Sequence, residues 1–310
     1  MSSTQVASSD PSKLGGHVLR LGIVPPIVNR NPRFSPPEWE LNAEIEDLAT
    51  VVQAAERFGY EFSCFPQHVA LPVAGEERRG AIYWDPAATM GYIAARTTTM
   101  KLATYVIVLG YYHPLQIAKT YGTLDRISRG RLVLGVGVGS LEPEFRLLGR
   151  PFEDRGARGD DAMRALRAAL GARVPSYHGE YYDFDGFVVD PHAVQERVPI
   201  WVGGRTARSL RRALELGDGW APFGLTLDKL TPIIDAKRDD IGARAASFDL
   251  VLAPEPPLDP AGRPDEAAEV ARNYAAAGAT KLNLRFHHNS MAHYVEQLEA
   301  MSECARGIGD

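Results

Sequence analysis

From Leu19 onward, short apolar runs alternate with longer segments in which apolar residues recur at helical spacing. The runs are four to nine residues long, and the longest are rich in Val, Ile and Leu, which is typical of strands buried in a parallel sheet. The predicted strands are Leu19–Val24, Glu61–Phe65, Lys101–Leu109, Arg131–Gly135, Ile200–Gly203, Gly219–Pro222, Phe248–Ala253 and Lys281–Arg285. The predicted helices are Glu44–Phe58, Asp85–Arg96, His113–Ser128, Arg155–Leu170, Thr206–Leu216, Leu227–Ala245, Asp265–Ala277 and Met291–Cys304.

A small hairpin is predicted to interrupt this alternation between its fourth and fifth units. The segment Tyr177–Val189 is rich in aromatic and β-branched residues and is punctuated by Gly179 and Gly186, which predicts two short paired strands. Eight strand–helix units in one chain predict an α/β fold, a (β/α)8 TIM barrel with this hairpin inserted. The alternative is an open doubly wound sheet, which normally has fewer strands and a nucleotide fingerprint after its first strand.

Composition narrows the class of protein. Residues 17–310 are interpreted as one domain, and residues 1–16 as a disordered polar tail without the apolar core of a secretory signal. The chain has 34 basic and 39 acidic residues, and the net charge of −5 argues against nucleic-acid and anionic-membrane partners. No apolar run approaches the roughly 18 residues of a membrane span. Two cysteines, Cys64 and Cys304, exclude a disulfide scaffold and favour the cytoplasm.

Two glycine-rich turns follow predicted strands, at the end of the barrel where enzymes of this architecture place their sites. The first is Gly135–Gly139, which departs from the dinucleotide fingerprint because Ser140 stands at the third glycine position. The second is Gly203–Thr206, where two glycines, Arg205 and a helix start would present hydrogen-bond donors. Each turn is interpreted either as a site where a phosphate-bearing ligand approaches the backbone or as a tight turn without a ligand.

Histidines provide the remaining candidate chemistry. His68 follows the second strand, and it is interpreted either as a catalytic group or as a structural hydrogen-bonding residue. His287 and His288 follow the eighth strand, beside Arg285, which would suit an anionic group. Their spacing fits no metal motif, so no metal site is predicted.

Nine short segments carry a recognisable order and spacing: Ala54–Tyr60, His68–Pro72, His113–Lys119, Thr123–Arg131, Gly135–Gly139, Glu144–Phe145, Gly149–Gly156, Pro199–Gly204 and Gly217–Trp220. In these segments the chain resembles the luciferase-like flavin-dependent oxidoreductases, the bacterial luciferase superfamily. It most resembles the branch that uses the deazaflavin coenzyme F420. The resemblance implies a (β/α)8 barrel with insertions and one cofactor site, and many relatives are homodimers, so a homodimer is expected.

The resemblance also implies where the cofactor would lie. Its phosphate is expected beside the turns after strands four and five, at Gly137, Val138, Gly139, Gly203, Gly204, Arg205 and Thr206. Its ring is expected against strand three, over a non-proline cis peptide near Thr104, Tyr105 and Val106. His68 is expected at the reactive ring edge, where it donates to the coenzyme or moves a proton beside hydride transfer.

Two positions depart from the family pattern, and both bear on proton transfer. Gln67 stands where an acid usually precedes the histidine, and Ser140 stands where some members have an acid or a Trp. Three hypotheses therefore stay open. The first is an F420-dependent oxidoreductase that transfers a hydride between the deazaflavin and a small organic substrate. The second is an FMN-dependent monooxygenase that uses O2 and is supplied by a separate reductase. The third is a barrel that binds flavin without catalysis.

The substrate pocket is expected at the strand ends. The residues predicted to wall it are Trp84, Tyr111, Tyr112, Phe223, Arg285 and His287. Their aromatic content indicates a small-molecule substrate with an apolar or ring-bearing body.

Overall fold

The computed structural model describes residues 19–306 and 308, and its strands close into a barrel. The predicted tail, residues 1–16, lies outside the described residues. The strands are β1 (Arg20–Ile23), β2 (Phe62–Phe65), β3 (Lys101–Thr104), β4 (Ile107–Val108), β5 (Leu132–Gly137), β6 (Tyr177–His178), β7 (Asp183–Phe184), β8 (Ile200–Gly203), β9 (Gly219–Ala221), β10 (Asp249–Leu252) and β11 (Lys281–Leu284). β6 and β7 form a separate antiparallel hairpin.

The barrel has eight parallel strand positions, which we call staves. One stave is formed by β3 and β4 in succession, and each of the others is a single strand. The sheet order is β3-β2-β1-β11-β10-β9-β8-β5-β4, and β3 also pairs with β5, which closes the ring. β5 therefore pairs with β3 through Leu132 and with β4 through Val136. The predicted (β/α)8 barrel is confirmed. The predicted continuous third strand is wrong, since a cis peptide between Tyr105 and Val106 separates its halves.

Helices connect the staves on the outside of the barrel. They are α1 (Glu38–Leu41), α2 (Ile45–Arg57), α3 (Glu76–Arg79), α4 (Pro86–Arg96), α5 (Pro114–Ser128), α6 (Glu142–Leu147), α7 (Arg155–Ala169), α8 (Ala207–Leu216), α9 (Leu227–Asp235), α10 (Arg238–Ala243), α11 (Pro264–Ala276) and α12 (Met291–Cys304). The single helix predicted over Leu227–Ala245 is wrong, because the backbone leaves the helical region at Lys237 between α9 and α10. The short α1, α3 and α6 were not predicted, since four to six residues carry too little periodicity.

Local capping fixes the loops at the carboxyl end of the barrel. Thr206 caps α8 by accepting from the Ser209 N–H, and Ser209 bonds the Thr206 N–H in return. His113 caps α5 in the same way, with Pro114 at the first helical position. Because each cap ties its loop to the first turn of a helix, the loops after β8 and β4 keep a defined course.

The inserted hairpin confirms the prediction for Tyr177–Val189, although its paired strands are only two residues each. It lies between α7 and β8, and Asp161 on α7 holds it. The Asp161 carboxylate accepts from the Tyr177 hydroxyl at 2.5 Å and from the N–H groups of Tyr181 and Tyr182. Burial alone would raise the pKa of Asp161, but these hydrogen bonds outweigh it and the pKa is lowered.

The interior of the barrel is packed at its amino-terminal end. The Phe62 and Trp201 rings meet edge to face across the lumen, with centroids 5.2 Å apart. Below them, the Lys281 ammonium bonds Glu61 at 2.7 Å and lies 3.4 Å from Asp249. The Lys281 ammonium and its two carboxylate partners fill the amino-terminal end of the lumen. A ligand is therefore expected at the carboxyl-terminal end. Within the described ranges, none of the helices is long and apolar enough to cross a membrane.

Candidate active site

His68 lies three residues after β2, at the carboxyl-terminal end of the barrel. Its Nδ1 is 2.8 Å from the Glu144 Oε2 atom. Its ring meets the Tyr83 ring edge to face, with centroids 4.7 Å apart. The His68 side chain keeps 24% of its surface exposed, whereas the Glu144 side chain has none. The histidine therefore stands between a buried acid and the open end of the barrel.

Glu144 is a buried carboxylate with four hydrogen-bond donors around it. Oε2 accepts from His68 and from the Tyr111 hydroxyl at 2.7 Å, and Oε1 accepts from the N–H groups of Val69 at 2.6 Å and Ala70 at 3.1 Å. Burial would raise the pKa of Glu144, but the bonds from His68, Tyr111 and the backbone outweigh it, so the pKa lies below its usual value. A carboxylate only accepts, so His68 carries its proton on Nδ1 and Nε2 faces away from Glu144.

Gln67 has a structural role in this arrangement. Its Oε1 accepts from the Val108 N–H at 3.1 Å, and its Nε2 donates to the Tyr112 hydroxyl at 2.8 Å. A backbone N–H can only donate, so the amide orientation is fixed. The acid expected at position 67 is absent, but an acid does contact the histidine. It arrives from α6, 76 residues further along the chain.

The stave formed by β3 and β4 changes direction at the cis Tyr105–Val106 peptide, where the resemblance placed it. The Tyr105 hydroxyl donates to the Pro222 carbonyl at 2.5 Å, across the barrel mouth. The fully buried Thr104 hydroxyl donates to the Gly135 carbonyl at 2.7 Å, so this side chain ties β3 to β5. The cofactor contact predicted for Thr104 stays a prediction, and its hydroxyl is bonded to the neighbouring strand.

Val106 explains two of the predicted site glycines. A Cβ on Gly137 would lie 2.7 Å from Val106 Cγ2, and a Cβ on Gly203 would lie 2.8 Å from Val106 Cγ1. Both contacts are closer than packed carbon atoms allow. These glycines therefore make room for the Val106 side chain, whatever their relation to a ligand.

We expect Gly137→Ala to lower the free energy of unfolding by about 1–3 kcal/mol, because the new methyl group overlaps Val106. In a Val106→Ala background the overlap disappears, and the same substitution should cost less. Urea unfolding of the four proteins of this cycle measures the coupling. An equal cost in both backgrounds would mean that Val106 is not the reason for glycine at this position.

The remaining glycines lie on adjacent loops. β5 and β8 are neighbours, with Val136 opposite Val202, so the loops that follow them share one edge of the barrel. Gly139 and Gly204 have φ angles of +79° and +121°, a region that favours glycine. A Cβ on Gly204 would also lie 2.7 Å from the Ser209 Cβ atom. Gly137–Gly139 and Gly203–Thr206, together with the start of α8, form a surface with few large side chains, which we call the cradle.

Polar and cationic groups flank this cradle. Thr206 is the α8 cap, and Arg205 lies over the Phe223 ring at 5.6 Å. The Arg155 Nε atom donates to the Gly139 carbonyl at 3.1 Å, which fixes the other loop. Val138 is partly buried, with its side chain against Gly159 of α7. The cradle, Gly137–Gly139 and Gly203–Thr206, thus lies on two adjacent loops, and its role as a cofactor site stays a prediction.

The predicted pocket residues divide into two groups. Tyr111 is buried and its hydroxyl donates to Glu144, so it supports the acid. His287 is exposed, and its backbone N–H and carbonyl bond Leu258 and Gln297. Four of the predicted residues are partly buried or exposed and remain candidates for the wall: Trp84, Tyr112, Phe223 and Arg285.

Sequence reasoning missed the buried partners of the site. Glu144 was named only within a segment that carries the family resemblance, and the contacts of Asn29 and Glu40 were not predicted. Glu40 accepts from the Ile27 N–H and lies 2.8 Å from His288 Nε2, which fixes the loop after β1. These contacts join residues that are far apart in the sequence, and no spacing motif predicts them. Among the described residues, no group of three or more His, Cys, Asp or Glu side chains is placed to hold a metal ion.

A known family and several known proteins are similar to this chain in sequence. The family model described as luciferase-like monooxygenase matches residues 19–306. Over 225 residues the chain is 27% identical to an F420-dependent glucose-6-phosphate dehydrogenase of Segniliparus rotundus, covering 69% of this chain and 65% of that enzyme. Over 214 residues it is 26% identical to an FMNH2-dependent dimethylsulfone monooxygenase of Pseudomonas putida, covering 68% and 56%.

The fold has a close structural relative as well. It superposes on a coenzyme F420-dependent tetrahydromethanopterin reductase of Methanopyrus kandleri with a TM-score of 0.68, covering 93% of this chain and 98% of that one. Sequence identity there is 13%, so this likeness concerns the barrel alone. The family match spans nearly all of the described residues, from β1 to the end of α12. The chain therefore belongs to the luciferase-like monooxygenase family.

Proposed function

We propose that this protein is an F420-dependent oxidoreductase that transfers a hydride between the deazaflavin and a small organic substrate. The observation that carries the proposal is the His68–Glu144 pair at the open end of the barrel, 2.8 Å between Nδ1 and Oε2. A buried acid that fixes the tautomer of a partly exposed histidine is the arrangement of a general acid–base pair. In a barrel that bound flavin without catalysis, the same pair would only hold the loop after β2 in place.

The residues of the cradle fit a phosphate-bearing cofactor. The loops at Gly139 and Gly204 carry no side chain that would block approach, and α8 begins at Ala207 with its N–H groups at the same edge. Thr206 and Arg205 would donate to the phosphate, and the barrel mouth beside Tyr105 and Val106 would hold the ring. When bound, the deazaflavin supplies the hydride chemistry.

The protein itself would handle the accompanying proton. Glu144 holds the Nδ1 proton of His68, so Nε2 is the nitrogen free to take a proton from a substrate hydroxyl or to return it to a carbonyl oxygen. The negative charge of Glu144 stabilises the imidazolium that forms during this transfer. Tyr111 and the two backbone donors keep Glu144 in place throughout.

Charge near the cradle favours F420 over FMN. A groove between α7 and α8 is lined by Arg208, Arg211, Arg212 and Glu215 of α8 and by Asp160 of α7. Arg212 pairs with Asp160, and Arg211 lies 3.9 Å from Glu215. Within the described ranges, Arg208 has no carboxylate within 4.0 Å. An unpaired cation beside the phosphate suits the acidic tail of the deazaflavin, which FMN lacks.

The alternative is an FMN-dependent monooxygenase, as in the Pseudomonas relative. A parallel titration of the protein with F420 and with FMN, followed by cofactor fluorescence, decides between them. Selective binding of F420 supports the proposal. Preference for FMN makes O2 consumption with a reductase the next assay. Binding of neither overturns the cofactor site. The homodimer and the cytoplasmic location stay predictions.

We expect Gly204→Val to weaken cofactor binding at least about tenfold, because a side chain there meets Ser209 and requires a φ that L residues rarely adopt. Fluorescence titration measures the affinity, and thermal unfolding shows whether the fold survives. Gly91→Val is the matched control, since a Cβ on Gly91 of α4 meets nothing within 4 Å. Unchanged affinity in a folded Gly204→Val protein would remove this loop from the site.

A further inference from the structure

Arg285 follows β11 directly and lies at the open end of the barrel. Side chains alternate along a strand, so Lys281, Asn283 and Arg285 share one side of β11. Lys281 bonds Glu61 at the closed end of the lumen. Arg285 is therefore the top member of an inward-facing column, two residues above Asn283.

Arg285 has a hydrogen-bond acceptor and a ring beneath it, but no counter-ion. Its Nη2 donates to the Asn29 Oδ1 atom at 3.2 Å, and its guanidinium lies 4.7 Å from the centroid of the Phe34 ring. Within residues 19–306, no carboxylate approaches it within 4.0 Å. The neighbouring Glu40 is bonded to His288 and to the Ile27 N–H instead.

Two other cations, one in the lumen and one at its rim, are paired. Lys281 has Glu61 and Asp249, and Arg33 bonds Glu255 at 2.9 Å. Burial lowers the pKa of Arg285, yet a guanidinium keeps its proton at any physiological pH. A partly buried cation without an anion is unfavourable, so a negatively charged ligand would relieve a cost that is already present.

A buried hydroxyl beside Arg285 also lacks a partner in the described part of the chain. The Tyr294 hydroxyl has no hydrogen bond, although the residue is only 1% exposed. The Asn283 amide, two residues below Arg285 on the strand, lies against the Cys64 and Tyr105 side chains. Tyr294 interacts electrostatically with Arg285, and burial raises the pKa of its hydroxyl, so it stays a neutral donor. A buried donor of this kind normally has a partner, which indicates a ligand or water beside the Tyr294 hydroxyl.

Tyr83 connects this cluster to the histidine. Its ring meets His68 at a centroid distance of 4.7 Å, its backbone pairs with Asn29, and it contributes to the electrostatic environment of Arg285. Asn29 is also the residue that orients Arg285. The cation and the proton-transfer group therefore flank the same tyrosine.

We propose that Arg285, with the Tyr294 hydroxyl, binds a carboxylate group of the substrate. This inference rests on the proposed function, and it names the substrate class as an organic acid whose reacting carbon reaches His68. One guanidinium and one neutral hydroxyl match the single charge of a carboxylate. The rings of Phe34, Tyr83 and Tyr105 around the site suit an aromatic or apolar body.

The test compares benzoate with benzamide, which share a shape and differ in charge. Each is titrated into the cofactor-loaded protein, with binding followed by the fluorescence of the bound cofactor. We expect benzoate to bind at least about tenfold more tightly than benzamide. Arg285→Met should abolish this preference and leave the affinity for the cofactor unchanged. Arg285→Lys should retain part of the preference for benzoate. The positive charge remains, but the paired N–H donors of the guanidinium, which can bond both carboxylate oxygens, are lost.

Arg20→Met is the matched control, since it removes one exposed positive charge at the opposite end of the barrel. It should keep the full preference. Equal binding of benzoate and benzamide, or a preference that survives in Arg285→Met, would overturn the carboxylate site. Calorimetric titration of benzoate into the cofactor-free protein separates the two proposals. Failure of cofactor binding with intact benzoate binding would count against the proposed function alone.

Discussion

His68→Asn is expected to lower turnover by about 10²–10⁴-fold while changing cofactor affinity no more than about twofold. Asparagine can still donate a hydrogen bond to Glu144 from its amide, so the loop after β2 should keep its course. Asparagine cannot take up and release a proton, and proton transfer is the step assigned to Nε2 of His68. The loss should therefore fall on kcat, with a smaller change in KM.

The measurement is the initial rate of deazaflavin reduction or oxidation, followed by absorbance, with substrates from a screen of small alcohols and carbonyl compounds. His178→Asn is the matched control, because His178 also lies 2.9 Å from a carboxylate, that of Asp183, but on the exposed hairpin. It should turn over like the wild type. Full activity in His68→Asn would make His68 a structural residue and remove the main support for the proposed function.

The sequence predicted the staves well, because each is marked locally by a short apolar run. Ile200–Gly203 and Met291–Cys304 have the predicted bounds, and most other elements differ by one or two residues. The failures are also local in origin. The break at Tyr105–Val106 leaves no mark in the hydrophobic pattern of Lys101–Leu109, and the turn at Lys237 is too short to interrupt a helical period.

Only part of the candidate active site was predicted, and the reason differs from that for the strands and helices. His68 was found from its position at the end of a strand, which the fold class alone fixes. Its acid, Glu144, lies on a six-residue helix far along the chain, and no spacing relates the two residues. Gln67 was read as a lost acid because it is adjacent in sequence. In space it faces Val108 and Tyr112, on the other side of the loop.

Glu144→Gln is expected to destabilise the protein by about 2–4 kcal/mol at pH 7 and to slow turnover together with it. The Val69 and Ala70 N–H groups need an acceptor, so the new amide would keep its oxygen there and turn its NH2 toward His68 and Tyr111. The Tyr111 hydroxyl could turn to accept from this NH2, but the His68 Nδ1–H group would face it donor to donor. His68 could relieve this only by moving its proton from Nδ1 to Nε2, which takes away the nitrogen assigned to accept the substrate proton.

The pH dependence of this loss distinguishes a charged acceptor from a packing effect. The pKa of Glu144 is lowered in the folded protein from its usual 4.5, so the carboxylate contributes stability that is complete above pH 4.5 and lost as pH falls through the folded value. The difference in unfolding free energy between wild type and Glu144→Gln should therefore be largest at pH 7 and shrink in acid. Urea unfolding at pH 7 and pH 4 measures it, with Glu142→Gln as the control, because Glu142 is an exposed acid of the same helix paired only with Arg146. A loss independent of pH, or one matched by Glu142→Gln, would mean that the charge of Glu144 does not hold this loop in place.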